Sequence, residues 1–132
     1  MKTNPSFDLN CTECPRLASY LEVQRFKFPE YFNLPVPPFG DPNATMLIVG
    51  LAPGHHGANA SGRPFTGDHA GIILYQTLFD LGLCTKADSQ SANDDLKLVG
   101  CRITNAVKSV SYTHLRAHET RHALVCRLLL EK

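Results

Sequence analysis

The sequence reads MLIVG at residues 46–50, an uninterrupted apolar run that ends at a glycine. A short run without polar alternation is typical of a strand buried on both faces of a parallel sheet. Residues 50–68 follow with five glycines and two prolines, which predicts a long structured loop. Residues 69–82 are the best helix candidate, with Asp68 as the N-cap and Gly82 at the end.

The predicted helix carries an apolar stripe that should face the core: Ile72, Tyr75, Leu78 and Phe79. Residues 96–107 predict a second strand with an amide, Asn105, near its end. The order strand, glycine loop, helix, strand is a βαβ unit. Its functional loops should therefore lie at the carboxyl ends of the strands.

The N-terminal third predicts a helix and an extended connection. Residues 11–26 read as a turn entering a short helix, because Pro15 suits a first helical position. Residues 28–43 contain five prolines. Since proline lacks an N–H donor, this segment fits neither a helix interior nor a central strand.

Composition narrows the class of protein. The chain has 132 residues and a formal net charge of +1, which fits one small domain and gives no global basic field, so any DNA binding must rest on local groups. We expect a cytoplasmic protein, because the N-terminus lacks the apolar stretch of a signal peptide and no run is long enough to span a bilayer. Five cysteines in a reducing compartment favour metal ligands or buried thiols over disulfides.

The C-terminal residues form a separate unit in this interpretation. Residues 110–132 read VSYTHLRAHETRHALVCRLLLEK, which looks like translated sequencing adapter, and we expect a non-native tail after a partial domain at residues 1–109. His114, His118 and His122 would share one face of a helix, as metal ligands do, but we interpret that spacing as an accident of the tail.

Three segments in order resemble one family. Residues 50–68 read GLAPGHHGANASGRPFTGD, residues 11–17 read CTECPRL, and residues 103–108 read ITNAVK. Together they resemble type-five uracil-DNA glycosylases and, more loosely, the type-four enzymes. The resemblance implies an α/β fold with three α/β/α layers and a central parallel sheet, here truncated. It also implies a DNA-repair enzyme that flips uracil out of DNA and hydrolyses its N-glycosidic bond.

A pocket for a flipped base needs close backbone approach, an aromatic platform and a side chain that matches the base edge. By resemblance, Phe65 is the stacking residue and Asn105 the uracil-recognition residue, since a carboxamide both donates and accepts hydrogen bonds. Two plainer alternatives stay open: Phe65 could fill the core beneath the loop, and Asn105 could be an ordinary strand-end residue. The predicted substrate-binding backbone positions are Gly50, Ala52 and Gly54.

This chain has no acid at the positions where other branches of the superfamily place their catalytic residue. Other branches of the superfamily place an acid in the second or third position of the motif, where this chain has Leu51 and Ala52. The type-five branch is expected to use a polar residue further along the loop. The matching position is Asn59, which can orient a water without deprotonating it. Ala60 and Ser61 replace an Arg-Thr pair, a change expected to weaken phosphate contacts.

The resemblance implies a 4Fe-4S cluster in the complete protein. Cys11 and Cys14 match the first two of its four ligands. The third would follow Lys108, where Ser109 stands, so this chain alone should not assemble a cluster. Cys84 and Cys101 match no ligand position and are predicted to be small core or loop thiols.

The expected partner is uracil-containing DNA, with a monomeric protein and no membrane association. We expect the 132-residue chain by itself to be inactive, because it lacks the family's second motif. Two other readings are a nucleotide-binding α/β protein, whose glycine loop would cradle a phosphate, and a non-catalytic module whose cysteine pair binds zinc.

Overall fold

The computed structural model describes residues 7–110, and every element below lies within that range. The elements in chain order are α1 (Pro15–Lys27), β1 (Phe39–Gly40), β2 (Met46–Gly50), α2 (Ala58–Ser61), α3 (His69–Asp80) and β3 (Cys101–Asn105). No helix in this part of the chain combines the length and the apolar character needed to cross a bilayer.

The three strands form one small mixed sheet in the order β1-β3-β2. β2 pairs with β3 in parallel, and the register places Gly50 opposite Asn105. The short strand β1 pairs with β3 in the antiparallel direction, within the proline-rich segment where we predicted only an extended connection. The α/β class and the parallel pair are confirmed, and β1 makes the sheet mixed.

The prediction that β2 is buried on both faces is wrong for this chain. Met46 is 40% exposed and Leu47 is 52% exposed. The cause is the strand order, because β2 is the last strand on its side of the described sheet and β3 lies in the centre. β3 is also shorter than the predicted 96–107, since Leu98 contributes only an isolated bridge to Cys84.

Helix α3 begins where the sequence predicted. The Asp68 side chain accepts a hydrogen bond from the Gly71 amide, so the predicted N-cap is confirmed. The chain leaves the helix through Gly82, whose φ is +75°, a conformation that glycine adopts without strain.

The predicted apolar stripe of α3 is only half correct. Tyr75 and Leu78 are buried, whereas Ile72 is 53% exposed and Phe79 is 44% exposed. The buried line of the helix starts at Gly71, whose missing side chain lets the helix approach the Phe65 backbone closely. The close approach turns Tyr75 and Leu78 inward and leaves the flanking positions in solvent.

The core lies between α3, the sheet and the loop that joins them. Its buried members are Tyr75, Leu78, Cys84, Leu96, Leu98, Cys101 and Ile103. Cys84 and Cys101 are buried free thiols, as predicted. Burial raises the pKa of the Cys101 thiol, which keeps it protonated and unreactive.

The N-terminal helix also begins as predicted, with a proline in the first helical turn of α1. The predicted tail lies outside the described residues apart from Val110, whose side chain is buried. The division of the chain at residue 109 stays a prediction.

A substitution at Gly71 tests the close approach of α3. Alanine is the better helix former by about 1 kcal/mol, but a Cβ at this position would overlap with the Phe65 carbonyl. We expect Gly71→Ala to lower the free energy of unfolding by about 2 kcal/mol in urea denaturation, since overpacking dominates. Ile73→Ala, at a position that is 65% exposed, is the control and should change stability by less than about 0.5 kcal/mol. A variant Gly71→Ala as stable as the parent would contradict the packing.

Candidate functional site

The carboxyl ends of β2 and β3 meet at one edge of the sheet. Beyond the last strand pair, the Ala106 amide donates to the Gly50 carbonyl and the Val107 amide donates to the Leu51 carbonyl. The Asn105 side chain is buried, with 2% of its surface exposed. The two chain segments that leave the strands therefore stay side by side at this edge.

Phe65 reaches the same edge from the glycine loop. The position that a Cβ on Gly50 would take lies 2.7 Å from Phe65 Cζ and 2.9 Å from Phe65 Cε2, and it overlaps with Asn105 Oδ1. The ring and the carboxamide therefore converge over Gly50, and the absence of a side chain at this residue makes room for both. Phe65 is half-buried and Asn105 is buried. An aromatic ring and a carboxamide therefore lie side by side at the carboxyl end of β2.

The Phe65 backbone is in a rare conformation. Its φ is +54°, in the left-handed region that costs about 1–2 kcal/mol for a residue with a side chain. The Phe65 carbonyl packs against Gly71 of α3, and the Tyr75 hydroxyl donates to the Pro64 carbonyl at 2.8 Å. The helix therefore supports the loop from below at the residue that carries the ring.

An ion pair between a buried arginine and a half-buried aspartate flanks the same segment. The Arg63 guanidinium donates to both carboxylate oxygens of Asp94, at 2.7 and 2.9 Å, and to the Ser89 hydroxyl at 2.6 Å. Its Nε donates to Thr66 Oγ1 at 2.9 Å. The bond to Arg63 lowers the pKa of the Asp94 carboxyl. Sequence reasoning missed this pair, because residues 31 positions apart carry no local pattern that joins them.

Asn59 is fully buried in α2, and its neighbours determine which way its amide points. Asn33 Nδ2 donates to the carbonyls of Gln24 and Phe28, so Asn33 Oδ1 must face Asn59 as an acceptor. Asn59 Nδ2 donates to it at 2.9 Å. Among the described residues, Asn59 Oδ1 is the buried side-chain atom left without a hydrogen-bond partner, and such an atom requires a donor.

Asp68 has a second role besides capping α3. One carboxylate oxygen, Oδ1, accepts from the Gly71 amide at 2.9 Å. Cβ atoms on Gly54 and Gly57 would lie 3.4 Å and 2.7 Å from the other oxygen, Oδ2. The carboxylate therefore sits inside the turn of the glycine loop. A phosphate at the start of α3 would meet this negative charge, which argues against a phosphate cradle.

The adjacent histidines lie in one hydrogen-bonded chain. His55 Nε2 contacts Gln24 Oε1, His55 Nδ1 contacts His56 Nε2 at 3.1 Å, and His56 Nδ1 contacts the Tyr31 hydroxyl at 2.8 Å. Since an amide oxygen can only accept, His55 Nε2 donates to Gln24 in this chain of contacts. The histidines thus link the glycine loop to α1 and the segment after it.

Lys108 supports the strand that carries Asn105. Its ammonium group donates to Thr104 Oγ1 and to the Asn105 carbonyl. The Lys108 carbonyl accepts from the Val36 amide at 2.7 Å. The end of β3 is therefore held on the proline-rich side as well as by β2.

Cys11 and Cys14 are exposed thiols at the start of α1, and Cys14 is the N-cap residue. No group of three or more potential metal-binding side chains occurs within residues 7–110. The chemistry of the pair, two accessible thiols separated by two residues, fits half of a four-cysteine site. Cys84 and Cys101 are buried in the core and are not placed to complete it.

The structure thus brings some of the predicted site residues together. Phe65 and Asn105 converge at Gly50. A side chain on Gly54 would meet Asp68 instead, Ala52 is half-buried in the bend after β2, and Asn59 donates a hydrogen bond to Asn33. The cysteine pair lies at the N-terminus of α1.

The low pKa of Asp94 predicts how stability depends on pH. A carboxyl whose pKa is depressed by folding contributes stability that is present above its unfolded value of 3.8 and is lost as pH falls through the folded value. Asp94→Asn should lower the free energy of unfolding by about 3 kcal/mol near pH 7, since it leaves a buried arginine without its counterion. The difference in the free energy of unfolding between the parent and Asp94→Asn should shrink only below pH 3.8. Asp95→Asn, at an exposed neighbouring position, is the control, and an equal effect of both variants would contradict the ion pair.

Comparison with known proteins agrees with this geometry. The family described as the uracil DNA glycosylase superfamily matches residues 37–132. Among curated proteins, a type-5 uracil-DNA glycosylase of Thermus thermophilus is 47% identical over 103 residues, covering 74% of this chain and 47% of the relative. The enzyme of the same name from Pyrobaculum aerophilum is 45% identical over 104 residues, covering 76% of this chain and 46% of the relative.

A third relative, the type-5 uracil-DNA glycosylase of Mycobacterium tuberculosis, is 43% identical over 104 residues, covering 74% of this chain and 39% of the relative. The chain therefore spans less than half the length of the curated relatives that it matches. The residues matched by the family include both strands of the parallel pair, the glycine loop and α3. The chain belongs to the uracil-DNA glycosylase superfamily.

Proposed function

We propose that this chain is the base-holding part of a DNA-repair uracil-DNA glycosylase, which hydrolyses the N-glycosidic bond between uracil and deoxyribose. The observation that carries the proposal is the convergence of the Phe65 ring and the Asn105 carboxamide over Gly50. The names of the curated relatives support the same reaction.

The chemistry of uracil fits the two side chains. A uracil inside a duplex is out of reach, so it must be flipped into a pocket, where its face can stack on an aromatic ring. Its polar edge offers a carbonyl acceptor beside an N–H donor. Asn105 has a matching donor and acceptor in one amide. Cytosine carries an amino group at the corresponding position, so a fixed amide orientation would disfavour it.

The orientation of Asn59 suggests how water is held. Its Nδ2 is engaged by Asn33, so its buried Oδ1 is the acceptor that can take a hydrogen bond from the attacking water. An amide cannot deprotonate this water. Catalysis would rest on positioning the water and on stabilising the charge that develops on the departing base. We propose Asn59 as the water-positioning residue, with Gly50, Ala52 and Gly54 lining the substrate side of the loop.

The longer protein would carry a 4Fe-4S cluster with Cys11 and Cys14 as two of its four ligands. Their exposure and two-residue spacing at the start of α1 support this assignment, and the cluster would stabilise the fold. The partner is DNA that contains uracil, and we propose a monomeric cytoplasmic enzyme.

The activity can be tested in a chimaera that joins residues 1–108 to the C-terminal part of the Thermus thermophilus relative. We expect this chimaera to release uracil from a uracil-containing oligonucleotide. We expect the 132-residue chain alone to release none. A chimaera that folds but releases no uracil would overturn the proposal.

Two substitutions in the chimaera test the pocket. Asn105→Ala should lower the rate of uracil release by about a hundredfold, the usual effect of removing a transition-state hydrogen-bond donor. Phe65→Ala should lower it by about tenfold through lost stacking. The matched controls are Asn43→Ala, at an exposed position, and Phe26→Ala, at a ring that is 90% exposed. Rates that fall equally in variant and control would argue against these roles.

The cluster assignment has its own measurement. Cys11→Ser and Cys14→Ser in the chimaera should each lower the content of iron and acid-labile sulfide and remove the brown colour, since serine is a poor ligand for iron-sulfur clusters. Thr12→Ser, between the two cysteines, should leave both unchanged. A colourless chimaera that holds zinc would instead support the zinc-binding module.

A further inference from the structure

We propose that Asp94, through its ion pair with Arg63, is a positioning residue that holds the Phe65 ring over Gly50. The loop of residues 86–95, which we call the polar loop, would then determine where the stacking surface lies. The effect of Asp94 on the contact between the Phe65 ring and Gly50 is independent of the proposed function. Its consequence for uracil binding rests on that function.

The backbone of Phe65 is strained. With φ at +54°, this residue is in a backbone conformation that residues with a side chain rarely adopt, so the surrounding structure must hold it there. The residues on both sides are indeed fixed. The Pro64 carbonyl accepts from the Tyr75 hydroxyl and from Thr66 Oγ1, and Thr66 is fully buried.

The residues that hold Phe65 in place are themselves bonded to the polar loop. Thr66 Oγ1 lies 2.7 Å from the Ser89 hydroxyl, and the Gly67 amide donates to the Ser89 carbonyl at 3.3 Å. Arg63 contacts Thr66, Ser89 and Asp94 with one guanidinium group. Residues 63–67, with Phe65 at their centre, are thus fastened to the polar loop at both ends.

The burial of the Arg63 charge makes this residue depend on Asp94. The Arg63 side chain is 5% exposed and the Asp94 side chain is 22% exposed. A guanidinium stays charged when buried, so it needs a counterion and full hydrogen bonding. Two aromatic rings surround the Arg63 guanidinium: the Phe39 ring centroid lies 4.8 Å and the Tyr75 ring centroid 5.9 Å from Arg63 Cζ. If Asp94 is removed, Arg63 must move toward water, and it pulls the start of the Pro64–Phe65 segment with it.

The contact between ring and glycine gives a direct readout. Because Phe65 Cζ lies close to the Gly50 α-carbon, the full 132-residue chain should show nuclear Overhauser effects between the Phe65 ring protons and the Gly50 α-protons. Asp94→Asn should weaken these effects strongly. Contacts between Tyr75 and Ile103, both in the core, should persist and show that the domain is still folded.

Binding of free uracil to the same chain, followed by the shifts of the Phe65 ring and the Asn105 side-chain amide, gives the functional readout. Asp94→Asn should raise the dissociation constant by about tenfold, comparable to the loss of one stacking contact. Asp95→Asn should leave both readouts unchanged. Asp94→Glu keeps the charge and should restore most of the ring contacts and of the affinity, and it decides the question if Asp94→Asn fails to fold.

The outcomes separate the two proposals. Ring contacts that survive in a folded Asp94→Asn variant, or in Asp94→Glu with the ion pair shown to be broken, overturn the positioning role. A parent chain that binds no uracil, while its ring contacts still depend on Asp94, overturns the proposed pocket and leaves the positioning role standing. Loss of contacts and of uracil affinity together supports both.

Discussion

The absence of a side chain at Gly50 is the constraint on which the site depends. Even one methyl group there would overlap with the Asn105 amide and press on the Phe65 ring. The register of the parallel pair brings Gly50 opposite Asn105, and the loop returns Phe65 to the same place. A backbone position without a side chain thus allows a flat ring and a polar amide to lie side by side. The other contacts described above support this arrangement of Gly50, Phe65 and Asn105.

Much of this support consists of hydrogen bonds that fix direction rather than add large stabilisation. A buried amide has two ends that differ in function, and exchanging them would reverse what it can recognise. Asn33 sets the direction of Asn59 because its own donors are already used by two carbonyls. The chain of contacts from Tyr31 through both histidines to Gln24 ties the same loop to α1. These contacts hold the part of the glycine loop that carries His55, His56 and Asn59 in one arrangement.

The local features of the fold could be predicted from the sequence, and the long-range ones could not. The Asp68 cap, the proline at the start of α1 and the order strand, loop, helix, strand depend on neighbouring residues, so composition and spacing reveal them. The exposure of Met46 depends on which strands flank β2, and that of Phe79 depends on how closely α3 approaches Phe65 at Gly71. The Arg63–Asp94 pair joins two loops with no shared periodicity. The family resemblance predicts roles for Phe65 and Asn105, whereas only the structure shows that the two side chains meet at Gly50.

The internal use of Arg63 has a consequence for how DNA is attracted. Between Gly50 and Asp68, Arg63 is the sole lysine or arginine, and its charge is compensated by Asp94. This loop therefore has little capacity to displace the cations condensed around a nucleic acid, and the dependence of DNA affinity on ionic strength grows with the number of such displacements. The loop would discriminate bases without contributing much to the attraction for the sugar–phosphate chain. Under the proposed function, any strong salt dependence of DNA binding would then have to come from charges outside this loop.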